Sequence, residues 1–150
     1  MVCCSHLIVR TEKTVETHSY YYSSAKNAEA EGVVVHPKFR SAYIRNLAVI
    51  KLGQEVGTTP SIGRIPVSRP EDSFVGKTSC LVSGWGKNLK RGPMVCKRDG
   101  EDRFVLVGIV SYGDLLCGQM GVPAVFADTS RNIDFISETT GLPKERFYKS

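Results

Sequence analysis

The side chains with nucleophilic, ligating or proton-transfer chemistry are a few cysteines and histidines, and their spacing limits what they do. The five cysteines, Cys3, Cys4, Cys80, Cys96 and Cys117, are an odd number, so they cannot all pair within the chain. Cys3 and Cys4 are adjacent and poorly placed to bond each other. No two cysteines form a C-x-x-C pair, which argues against a zinc site or a dithiol redox motif. Of the three histidines, His18 and His36 read as surface or turn residues, and His6 stands alone near the beginning. The densest cationic cluster is Lys87, Lys90, Arg91, Lys97 and Arg98, in a chain of net charge +5. A cluster of this kind binds nucleic acid, heparin-like polyanions or anionic membrane, or it is a solvated surface. Without a zinc-finger, RNA-recognition or helix-turn-helix pattern, the solvated surface is the expectation, and no specific nucleic-acid partner is implied.

The elements that must position these residues are mostly strands. Gly32-Val33-Val34-Val35 is a β-branched run halted by His36-Pro37, since proline removes a ladder donor. Residues 47–52 form a buried-strand run closed by Gly53, and residues 79–83 lead into the glycine-bracketed Trp85. Residues 104–110 are the most strongly β stretch, and residues 124–126 are another. The longest apolar runs have strand length and fall short of the roughly 18 residues that a spanning helix requires. Residues 25–31 have helix-forming composition, whereas Tyr20-Tyr21-Tyr22 favours strand, so this stretch stays open. One helix is expected near the C-terminus, with Ser130 as N-cap, Ile133, Phe135 and Ile136 as its apolar face, and Gly141-Leu142-Pro143 as its stop. The 150 residues are enough for one ordinary core, and a single all-β domain with a terminal helix is expected over residues 1–150.

Several stretches then match one family in order. Cys80-Leu81-Val82-Ser83-Gly84-Trp85-Gly86 resembles the C-x-V-S/A-G-W-G signature of trypsin-like serine proteases (peptidase S1). Gly92-Pro93-Met94-Val95-Cys96 resembles the G-P-L-V-C that follows the family's nucleophile. Val107-Gly108-Ile109-Val110-Ser111-Tyr112-Gly113 resembles V-G-I-V-S-W-G, and Pro123-Ala124-Val125-Phe126 resembles P-G-V-Y. Ile133-Asp134-Phe135-Ile136 resembles the L-D-W-I of the closing helix. Upstream, residues 33–39 resemble V-x-x-H-P-x-Y, and Asn46-Leu47-Ala48-Val49-Ile50-Lys51-Leu52 resembles D-I-A-L-L-K-L. The resemblance implies a partial trypsin-like double β-barrel. It also makes Ser111, Tyr112, Gly113 and Ala124 remnants of the walls of the specificity pocket.

The chemistry that the resemblance implies is incomplete. Peptide hydrolysis in this family needs a serine nucleophile, a histidine base, an orienting aspartate and an oxyanion hole of backbone N–H groups. Counting back from Pro93 puts Lys90 in the place of the serine in G-D-S-G-G-P, and Leu89 in that of the aspartate used in zymogen activation. The aspartate of the triad falls on Asn46, whose amide favours the wrong imidazole tautomer. Only a histidine persists, as His6, if Cys4-Ser5-His6-Leu7 corresponds to the A-A-H-C motif. The stretch that carries the pocket floor, between the tryptophan signature and the nucleophile, has no counterpart between Lys87 and Gly92. Neither Ser111 nor Ser83 offers a substitute nucleophile, because Ser111 is a backbone-binding position in the matched strand with no base beside it.

The resemblance also implies a Cys80–Cys96 disulfide and leaves Cys117 without its family partner. Secretion follows from the family and the cysteines, although residues 1–6 show no signal peptide; the chain's start is expected to differ from the family's. The expectation is a catalytically inactive homologue that needs no cofactor and acts on other proteins through its protease-like surface. The alternative is a truncated product, or an incomplete gene model, of a trypsin-like endopeptidase.

Overall fold

The computed structural model describes residues 14–17, 26–41, 44–57, 63–76, 79–83, 92–112 and 123–149. Within these, a three-stranded antiparallel sheet is ordered β1-β2-β3 and a four-stranded antiparallel sheet is ordered β4-β5-β6-β7. The first holds β1 (Thr14–Thr17), β2 (Lys26–Val35) and β3 (Ala48–Leu52). The second holds β4 (Cys80–Val82), β5 (Pro93–Lys97), β6 (Phe104–Tyr112) and β7 (Val125–Asp128). One helix, α1 (Ile133–Thr140), follows a 3-10 turn at Ser130–Asn132. The described residues are therefore β-rich with one short helix, in line with a partial trypsin-like barrel.

The structure resolves one stretch left open, gives the Gly92–Cys96 motif its conformation, and changes one expectation. Residues 26–31, helix-forming by composition, lie in β2, because pairing of Lys26 through Glu29 with β1 and of Ala30 through Val35 with β3 outweighs a weak local helix preference. The motif Gly92-Pro93-Met94-Val95-Cys96 proves to be mostly a strand, with Pro93 at its first position, where a missing N–H is tolerated. Ser130 does not cap α1. It belongs to the preceding 3-10 turn, and its hydroxyl donates to Asp128 Oδ1 at 2.7 Å. Asn132 holds the N-cap position, and Gly141 ends the helix in the left-handed region at φ 69°.

The core joins both sheets to the helix. Val49 of the first sheet and Leu47, just before β3, meet Ile109 of β6 and Phe135 and Ile136 of α1, with Phe147 packed against them. β6 is paired on both sides, by β5 and β7, and buries Val105, Leu106 and Ile109. A Cβ at Gly108 would stand 3.0 Å from Phe126 Cβ, so only glycine lets β7 approach this closely. Where β7 ends, residues 66–68 continue along β6. Leu106 N–H donates to Pro66 O at 2.8 Å, Ser68 N–H donates to Leu106 O at 2.9 Å, and Val67 N–H donates to Phe147 O at 2.7 Å. Thr129, fully buried, closes this seam by donating its hydroxyl to Leu106 O at 2.8 Å.

Two further expectations are corrected by burial. His36 is only 8% exposed, because its ring lies 4.6 Å from that of Phe135 and its backbone N–H donates to Leu47 O at 2.9 Å. It does sit in a turn, accepting from Phe39 N–H at 2.8 Å. Arg98, read as part of a solvated basic cluster, is largely buried instead. Its Nε lies 3.0 and 2.9 Å from the two carboxylate oxygens of Asp72, and this pair ties the loop at residues 69–72 to the β5–β6 hairpin. Lys97 stays at the surface beside Asp102 and lies over the ring of Phe104.

Candidate functional site

The matched positions converge where the two sheets meet. Asn46 directly precedes fully buried Leu47, which fixes its backbone at the head of β3. Before it, Arg45 adopts φ 52°, a left-handed conformation that non-glycine residues avoid unless surrounding bonds enforce it. Those bonds are present: Arg45 Nη1 donates to Arg131 O and to Asn132 Oδ1, each at 3.0 Å, and Leu47 N–H donates to Arg45 O at 2.9 Å. The segment carrying Asn46 is thus clamped to the turn that precedes α1.

Opposite stands Ser111, at an irregularity in β6. Val110 pairs with Phe126 while Tyr112 pairs with Val125, so the register shifts at Ser111, which forms a bulge in β6. Such a bulge re-aims a side chain without ending the strand. Asn46 Nδ2 donates to Ser111 Oγ at 2.8 Å. The pair is an amide and a hydroxyl, both neutral, so it has no group that titrates near neutral pH. In this bond the serine oxygen accepts, whereas a carboxylate at residue 46 would instead accept the serine proton.

Around this pair lies a cleft of about 310 Å³, whose lining includes Ile44, Arg45, Phe126, Asp128, Arg131 and Asn132. A larger cleft of about 450 Å³, bounded by Ser68, Asp72, Phe74 and Met94, contains none of the triad or pocket-wall positions. His36 Nδ1 accepts the Lys38 N–H at 3.0 Å. Burial, together with the positive charges of Arg45 and Lys38, holds the His36 pKa below its ordinary value of 6.5. With one ring nitrogen bonded and one face on Phe135, His36 is built as a packing residue.

Of the positions named from sequence, Asn46 and Ser111 are in contact. Tyr112 lies in β6 in register with Val125, and Ala124 is exposed just before β7. Cys80 and Cys96 are bonded across directly opposed positions of β4 and β5. The bond closes a loop with a sequence separation of 16. A loop of that size gives roughly 3 kcal/mol in the chain-entropy account. His6, Lys90 and Gly113, with Cys3, Cys4 and Cys117, lie outside the described residues. Sequence reasoning missed Arg45, Asp128, Arg131 and Asn132. Arg45 adjoins a matched position, but nothing in the chain's spacing links it to residues 131 and 132.

A β-rich frame brings Asn46 onto Ser111, two residues that the sequence named from separate motifs, and the family comparison decides the matter. The family model described as Trypsin matches residues 3–92. The chain belongs to the trypsin family. Among relatives, kallikrein-4 of Homo sapiens is 26% identical over 155 residues, covering 74% of this chain and 60% of that protein. Trypsin II-P29 of Gallus gallus is 24% identical over 153 residues, covering 71% and 60%. The inactive CLIP domain-containing serine protease A3 of Aedes aegypti is 46% identical over 57 residues, 36% of this chain and 11% of that one. The chain thus spans about 60% of the length of the kallikrein and trypsin relatives. The kallikrein-4 alignment covers more positions than the chain has residues, yet uses 74% of the chain, so a sizeable stretch of that relative has no counterpart here.

Among the described residues, no helix is long and apolar enough to cross a membrane, and no group of three His, Cys, Asp or Glu side chains is placed to hold a metal ion.

Proposed function

We propose that this member of the trypsin family is a non-catalytic homologue, a secreted module that engages other proteins rather than hydrolysing them. The observation that carries this reading is the Asn46–Ser111 pair. The family's orienting acid is replaced by an amide, and its hydrogen bond is directed from nitrogen to the serine oxygen at 2.8 Å. An imidazole beside this amide lacks the carboxylate that would stabilise it as it takes up the proton. Lys90 in the nucleophile's place removes the acyl-enzyme step, and Asn88-Leu89-Lys90-Arg91 replaces the glycine-bearing turn of the oxyanion hole. The Cys80–Cys96 bond agrees with an oxidising, extracellular setting. Residues 1–150 act as one domain, with a core shared between both sheets.

The test is labelling of the purified protein with a fluorophosphonate probe beside active trypsin. Trypsin labels at its nucleophile and this chain stays unlabelled. Specific, stoichiometric labelling would sink the reading.

A second reading is favoured by the comparison with kallikrein-4: the chain is the shortened product of a gene encoding a trypsin-like endopeptidase, lacking an internal stretch. Intact-mass measurement of the native protein separates the two. A single species near 16.5 kDa supports the first reading, and a longer species from the same gene that carries the missing stretch supports the second.

A further inference from the structure

The cleft beside Asn46 has a charge pattern of its own. Its lining holds two cations, Arg45 and Arg131, and one carboxylate, Asp128. That carboxylate is engaged: Oδ1 accepts from Ser130 Oγ at 2.7 Å and from Arg131 N–H at 3.1 Å, while Oδ2 lies 3.5 Å from Arg131 Nε. Arg45 differs. Both of its bonds use Nη1, both acceptors are neutral oxygens, and no carboxylate among the described residues meets its guanidinium. These two bonds fix one edge of the fork and leave Nε and Nη2 directed away from Arg131 O and Asn132 Oδ1. Arg45 is held in this place by a left-handed backbone, a conformation that persists only when its surroundings over-determine it.

The neighbour of that cation matters as much. An aspartate at residue 46 would put a negative charge next to Arg45 and repel any anion entering the cleft. Asn46 removes the charge while keeping a hydrogen bond to Ser111. The rest of the lining includes apolar side chains, half-exposed Ile44 and partly buried Val125 and Phe126. A planar fork of donors in a cleft that also has apolar lining suits a planar anion on a short aliphatic stem, and carboxylate is the anion whose geometry the guanidinium matches in two-point fashion.

Resting on the non-catalytic reading above, we propose that this cleft is an acceptor site for a glutamate-bearing segment of a protein partner. The glutamate carboxylate bonds Arg45, its stem and an adjacent apolar residue lie on Ile44 and Phe126, and Asn46 places no negative charge beside Arg45. Loss of the catalytic acid and gain of the anion site are then one change.

The test uses the isotope-labelled full chain, titrated at low ionic strength with acetyl-Leu-Glu-amide and, separately, with acetyl-Leu-Gln-amide. The glutamate peptide is expected to shift the amides of Arg45, Asn46, Phe126 and Asn132 and to bind at least about five-fold more tightly than the glutamine peptide, the scale of one exposed ion pair. Its affinity falls with added salt, because the contact is only partly shielded from solvent. Arg45→Gln removes the preference for glutamate. Since that change also breaks the clamp to Asn132, Asn46→Asp is the second variant: it keeps the clamp and weakens glutamate binding about five-fold or more by charge alone. Equal affinity for the two peptides overturns the proposal, as do shifts confined to residues outside the cleft, or wild-type binding by Asn46→Asp. Fluorophosphonate labelling reports separately on catalysis. A chain that binds neither peptide and remains unlabelled loses this site but keeps the non-catalytic reading, and a labelled chain loses that reading whatever the peptides do.

Discussion

Two β-branched runs of similar composition end up in opposite surroundings. In β6, Val105, Leu106 and Ile109 are 0%, 3% and 5% exposed, whereas in β2 Val33, Val34 and Val35 are 48%, 47% and 52% exposed. β6 lies between β5 and β7, with residues 66–68 extending its far edge and α1 sharing its core. Residues 33–35 of β2 pair with β3, and residues on both faces of this stretch remain half open. Pairing alone does not bury a strand; covering its faces does. The run in β6 therefore carries the stability of the molecule, and the one in β2 contributes mainly ladder hydrogen bonds.

The largest expected effect comes from striking the covered strand. Ile109→Ala removes a side chain that touches both sheets and the helix, and should destabilise by about 3 kcal/mol. Denaturant unfolding followed by far-ultraviolet dichroism measures it. A loss below about 1 kcal/mol, typical of surface substitutions, would erase the contrast with β2.

An intermediate effect is expected at His36, which ends β2 and meets α1 through Phe135. Its pKa lies below 6.5 in the folded state, so the unfolded chain binds the proton first. Stability therefore falls as pH drops through 6.5 toward the lower folded value, and this residue contributes no pH dependence above that window. His36→Gln removes this component. Comparing midpoints for the two proteins at neutral and mildly acidic pH tests it: the wild type should lose more than the variant. An equal loss in both would mean that His36 is as free to charge in the fold as outside it.

The smallest effect is expected in the open run. Val34→Thr keeps the β-branch at a half-exposed position and should change stability by no more than about 0.5 kcal/mol. A larger loss would show that the outer face of β2 is covered in solution, which would bring the two runs closer together.

How much of this was legible beforehand differs from residue to residue. Strands β3, β4, β6 and β7 follow from short β-branched runs between glycine and proline, because a buried or half-buried strand leaves that pattern in the chain. Asn46 and Ser111 were each named from a family motif, but their contact across sixty-five residues comes from the fold alone. The strand identity of residues 26–31 was hidden by helix-forming side chains and decided by a partner strand, which no local pattern encodes. The burial of Arg98 was hidden likewise, since its neutralising partner Asp72 lies twenty-six residues away and nothing in the basic cluster points to it. Arg45 could be read as exposed charge; only the fold places it over the turn before α1.

The seam formed by residues 66–68 has a consequence for the covalent chain itself. This segment belongs to the connection between the two sheets, yet it is held by Leu106 on one side and Phe147 on the other, while Asp72 grips Arg98. Leu47 and Val49 meanwhile sit in a core completed by residues from beyond the connection. The backbone between β3 and Val67 is therefore not what keeps the halves together. A single proteolytic nick at exposed Gly57 or Gly63 should leave two fragments that migrate as one particle in native gel filtration and part only in denaturant. Fragments that separate in native buffer would show that the connection, and not the packing, joins them.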